Sequence, residues 1–95
     1  MKALTALLAS ILTIMSVSAV DIDYCKNLQS LAGTVMEMRQ DNFAMSDLHD
    51  TLGDKRLPML LSAYEVPLYS TIDYKKKAIV KFKNQAFKAC VVQEG

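Results

Sequence analysis

Tryptophan is absent from this chain, histidine occurs once, and glycine, proline and cysteine number three, two and two. Each shortage excludes something. A single histidine, His49, cannot supply the several imidazoles of a usual zinc centre. Its neighbours Asp47, Asp50 and Asp54 lack the glycine and terminal glutamate of a calcium loop. We therefore expect no metal site there and read the segment as a solvated acidic helix. Three scattered glycines rule out a Gly-rich phosphate loop. The serines beyond residue 19 are Ser30, Ser46, Ser62 and Ser70, and none lies in a Gly-X-Ser-X-Gly elbow. No paired carboxylates face a recognisable cleft. The expectation is a protein that is not an enzyme and needs no cofactor. Sparse aromatics argue against single-stranded nucleic acid as a partner. No residue run alternates apolar and polar long enough to mark a strand.

What is present begins with a leader. Lys2 precedes Ala3 to Val17, which is apolar or small apart from Thr5, Ser10, Thr13 and Ser16. Val17-Ser18-Ala19 then offers small residues, the pattern of a signal peptide cleaved after Ala19. The apolar stretch falls short of the ~20 residues a spanning helix wants, so no stable membrane anchor is expected after cleavage. Lipid attachment at Cys25 is not expected either, because Ile22-Asp23-Tyr24 precedes it. This predicts an exported protein, periplasmic or secreted, with residues 1–19 as leader and 20–95 as one small domain. Loss of Lys2 takes the formal charge of +1 to about zero. Strong attraction to polyanions is then not a property of the molecule as a whole.

Apolar spacing predicts an all-α domain of about four helices. The first spans about Asp23 to Gln40, with Tyr24, Cys25, Leu28, Leu31, Ala32, Val35, Met36 and Met38 on one arc and turn formers Asp41-Asn42 after it. The second spans about Ser46 to Leu52, with Ser46 as N-cap and Gly53 as stop; Phe43, Met45, Leu48 and Leu52 give it something to bury. The third spans about Leu57 to Val66, with Pro58 in its first turn, Pro67 beyond its end, and Leu60, Leu61 and Tyr64 as its core face. The fourth spans about Thr71 to Val92, opened by a Ser70–Asp73 capping box. Its buried side holds Ile72, Ala78, Ile79, Phe82, Ala86, Ala89 and Cys90. Lys77, Lys81 and Lys88 lie on the opposite side.

Cys25 falls in the first turn of the first helix and Cys90 in the last turns of the fourth. If the two helices pack antiparallel, these ends meet. Two cysteines in an exported small domain then predict one structural bridge, worth ~4 kcal/mol by loop-closure entropy. A redox-active pair is disfavoured by the lack of a Cys-X-X-Cys spacing.

Arg39 falls inside the apolar arc of the first helix, a place where a cation needs an explanation. It either snorkels its head to water, pairs with Glu65 or Asp73, or anchors an anion or partner. Charge is also polarised along the chain. Acids dominate up to Asp54 and bases from Lys55 onward, so Lys77, Lys81 and Lys88 form either a solvated face or a docking surface for an acidic partner.

Cys25, Met36 with Arg39-Gln40, Met45, Ala63-Tyr64 with Pro67, Phe82 and Cys90 form a pattern that resembles a group of small exported helical proteins of proteobacteria and their phages. The resemblance spans nearly all of the chain after the leader. It implies an exported, disulfide-closed helical domain and implies no reaction. Taken together, the sequence points to an interaction module for an envelope protein, such as an inhibitor or regulator. An acid- or stress-responsive periplasmic chaperone is the alternative.

Overall fold

The computed structural model describes residues 20–94, so the leader expected over 1–19 lies outside the described residues. Four α-helices and one 3-10 turn account for nearly all of them: α1 (Ile22–Gln40), α2 (Met45–Leu52), the turn Asp54–Arg56, α3 (Leu57–Glu65) and α4 (Ile72–Glu94). The expected all-α architecture is present, with no strand among the described residues.

Local chemistry sets each boundary. Asp21 caps α1, its Oδ1 accepting from the Tyr24 N–H at 3.1 Å. The other end of α1 closes as a Schellman motif. Asn42 adopts φ 65°, its N–H donates to the Arg39 carbonyl at 3.0 Å, and the Phe43 N–H donates to the Met38 carbonyl at 3.0 Å. Asparagine is among the few residues that accept this left-handed conformation. Pro58 sits in the first turn of α3, where its missing N–H leaves no bond unmade.

Two caps differ from expectation. Ser46 lies inside α2, whose N-cap is Ala44 and carries no side-chain bond. Ser70 does not cap α4 either; Thr71 does, its Oγ1 accepting from the Tyr74 N–H at 3.4 Å. In both cases the helix is placed by its packed face, whose burial outweighs a single capping bond.

Helices α1 and α4 lie side by side and antiparallel, the most extensive packing in the molecule. Three contacts fix the register. Cys25 bonds Cys90, with their Cα atoms 5.5 Å apart. Midway, Gly33 faces the Lys83 side chain. At the far end Lys75 reaches the Gln40 carbonyl. Each step up α1 is matched by an equal step down α4. A Cβ on Gly33 would lie 2.9 Å from Lys83 Cδ, so any side chain at this middle contact displaces that lysine. The aliphatic stem of that lysine lies across the bare glycine, which lets the two helices approach closely.

Helix α2 packs on α3, and α3 rests on α1. The continuous core joins Ala32, Val35 and Met36 of α1 to Leu48 of α2, Leu60 and Ala63 of α3, and Ala78 and Phe82 of α4. Five expected core residues are exposed instead: Leu61 at 49 %, Phe43 at 48 %, Ile72 at 65 %, Tyr24 at 38 % and Ala89, which lies on the side of α4 that α3 leaves uncovered. Leu61 follows Leu60 by 100° of helix rotation, so both cannot face α1. Phe43 leaves α1 on the solvent side of the turn. Ile72 projects beyond the end of α1, which stops opposite Lys75.

Cys25 and Cys90 are buried yet belong to no part of this core. They close a two-helix stem that extends past the α2–α3 layer. The disulfide holds the fold where apolar burial is thinnest.

Candidate interaction surface

The polar centre of the molecule is where α1 ends. Gln40 is the one buried polar residue among those described, at 2 % exposure. Its amide donates to the Pro67 carbonyl at 2.9 Å and accepts from the Tyr69 N–H at 3.0 Å. A buried amide with partners on both its atoms carries no desolvation penalty for lack of bonds. Next to it, Arg39 Nε donates to the Val66 carbonyl at 3.1 Å, and its guanidinium lies 4.9 Å from the centre of the Tyr64 ring. The Tyr64 hydroxyl donates to the Phe43 carbonyl. Burial pushes the Tyr64 phenol above its ordinary pKa, opposed by the nearby Arg39 cation and reinforced by Asp47. Lys75 donates to the Gln40 carbonyl, neutralising an orphan acceptor at the negative end of α1.

These contacts explain why Arg39 lies in an apolar arc. It makes no ion pair with Glu65 or Asp73; its partners are a backbone carbonyl and an aromatic face. Arg39 and Gln40 together clamp the segment from Val66 to Tyr69, which carries the chain from α3 into α4. The clamp engages the Gln40 amide on both its atoms and one of the five Arg39 donors, Nε–H.

α3 and α4 both pack on α1, and their backbones approach each other little. An open cleft runs between them in two adjoining stretches of about 400 and 430 Å³ that share Ser62, Phe82 and Gln85. The first stretch is walled by Leu28, Met59, Ala86 and Ala89, reaches the disulfide at Cys90, and carries Lys55 and Arg56 on its rim. Glu65, Pro67, Ala78 and Lys81 border the second. Along α4 the cleft extends from Ala78 to Gln93, about 22 Å at helical rise.

Lys77, Lys81 and Lys88 are all exposed and fall within one narrow stripe of α4. Lys81 belongs to both stripe and cleft. The Lys77 ammonium lies 5.4 Å from the Tyr74 ring centre. None of the three lysines has a carboxylate partner among the described residues. His49 meets Asp54 alone, Nε2 to Oδ1 at 2.6 Å, and no metal-binding cluster occurs among the described residues.

Sequence reasoning singled out Arg39 and the three lysines. It missed the cleft, because Met59, Ala86 and Ala89 read as ordinary core positions. The signal that they are not all covered lies in α3 itself. A helix so short has too little face to cover one as long as α4.

The fold and surface define a small disulfide-closed all-α domain with a cation-rimmed apolar cleft. Comparison with protein-family models, with curated proteins and with solved structures finds no match. No helix among the described residues is long and apolar enough to cross a membrane. The disulfide is of the kind that persists in oxidising compartments.

Proposed function

We propose that this chain is an exported, periplasmic interaction module that binds another envelope protein, as an inhibitor or regulator, and performs no catalysis. The observation behind this reading is the bare lysine stripe of α4 beside an open apolar cleft. Unpaired surface cations cost little to maintain and steer an acidic partner toward the surface. The leader-like residues 1–19 and the buried disulfide support export.

The test is cross-linking in the envelope followed by capture of the protein. A specific partner should be retained by the natural chain and lost from a Lys77→Glu/Lys81→Glu/Lys88→Glu variant that melts at the same temperature. Equal capture by both removes the stripe from the reading.

Exposed Ile72, Val80 and Val92, each more than half exposed, favour a second reading as a stress-responsive chaperone. It requires suppression of client aggregation on acidification, together with loss of the protein's own near-ultraviolet circular dichroism.

A further inference from the structure

We infer that the cleft between α3 and α4 is the seat for an acidic amphipathic helix of about four turns. This rests on the interaction-module reading and names the ligand. Three observations carry it.

The first is shape. The cleft is open to solvent along its length, whereas sites for small molecules enclose most of the ligand surface. A helix of about four turns is about 22 Å long, the span from Ala78 to Gln93. Its apolar face would settle on Leu28, Met59, Phe82 and Ala89, the mode in which grooves take amphipathic helices.

The second is charge. Among the described residues Lys55, Arg56 and Lys81 border the cleft against Glu65 alone, and Lys77 and Lys88 line an adjoining hollow of α4 that shares Lys81. A helix seated there meets cations at both ends of the cleft, so carboxylates on its outer flanks are favoured and lysines opposed.

The third argues against a second copy of this chain. Its own acidic helix is α2, with Asp47 and Asp50. Leu48 of that helix is buried in its own core, so the apolar face that a cleft would need is already used.

The experiment uses the protein as the cell exports it, with the disulfide formed. Three labelled fifteen-residue peptides are titrated by fluorescence anisotropy: a Leu/Glu amphipathic helix, the same helix with lysine for glutamate, and the Leu/Glu composition with its periodicity scrambled. The Leu/Glu helix should bind about tenfold tighter than the lysine version at low salt, with the gap narrowing as salt rises. The scrambled peptide should bind more weakly than the Leu/Glu helix. Ala89 is exposed, so Ala89→Glu keeps the fold, checked by its melting temperature, and should weaken the Leu/Glu helix about tenfold. Lys55→Glu with Lys81→Glu should reverse the preference between the two charged helices.

Several results overturn the proposal. The Leu/Glu helix can fail to bind better than its controls. Dodecanoate can bind and displace it, which makes the cleft a lipid site. Concentration-dependent self-association abolished by Ala89→Glu makes it a homodimer face. If envelope capture depends on Lys77 and Lys88 but ignores Ala89→Glu, the interaction module stands and its ligand lies elsewhere. If capture responds to neither, both readings fall.

Discussion

Gln40 and Tyr64 carry consequences far beyond their size. The Gln40 amide ties α1 to the Pro67 carbonyl and the Tyr69 N–H, so Gln40→Ala strands two part-buried backbone groups as well as opening a gap. The expected loss is about 2–3 kcal/mol, read by urea unfolding. Asn42→Ala should lose about 1 kcal/mol by the same measurement, because alanine tolerates the positive φ poorly. Tyr64 gives a pH dependence whose direction follows from its raised pKa. A phenol held neutral in the fold and ionising more easily when unfolded stabilises the protein fully below pH ~10. That contribution disappears as pH rises through the folded value, where the phenolate also stops donating to the Phe43 carbonyl. Tyr64→Phe should be less stable at neutral pH and lose part of the alkaline decline, measured as melting temperature against pH.

Helix positions were legible in the sequence to within a residue or two, and their ends for a definite reason. Proline and the Gln40-Asp41-Asn42 turn act through the backbone itself, so their effect is local and readable. Caps were less legible: Ser46 and Ser70 have the right chemistry, but packing of Leu48 and Ala78 sets where α2 and α4 lie. Arg39 was recognisable as anomalous, yet its partners were not, since a carbonyl at Val66 leaves no trace in residue identity. Gly33 was equally silent. Its role depends on the stem of Lys83 lying across it, and a larger side chain there must push α1 and α4 apart. Gly33→Leu should therefore cost about 1–3 kcal/mol by overpacking, whereas Gly33→Ala sets a helix-propensity gain of about 1 kcal/mol against displacement of one flexible lysine. A comparison of their urea midpoints separates the two effects.

The molecule is stabilised in two separate regions. Around Met36 and Leu60 it has an apolar core shared by all four helices; around Cys25 it has two helices and a covalent bond. Reduction, or Cys90→Ser with Cys25→Ser, should therefore release the ends unequally. Amide exchange is expected to speed up over residues 22–30 and 84–94 while the amides of Val35, Met36 and Leu60 stay protected, measured by hydrogen–deuterium exchange. Uniform loss of protection would mean that core and stem unfold together.

The uncovered stem also bears on how long each copy of the protein survives. Lys26 and Lys88 sit on its outer faces, side chains free but backbone locked in helix by the clasp. Proteases with trypsin-like preference need several residues of extended chain, which the oxidised stem does not offer. In a reducing medium the same two lysines become cleavable, and a short digestion of reduced protein should cut at Lys26 and Lys88 before any site near Met36, whereas cleavage in the Asp54–Arg56 turn should not depend on reduction. Turnover of this chain would then be governed by the redox state of its surroundings, with copies that never acquire the bond removed from their ends inward.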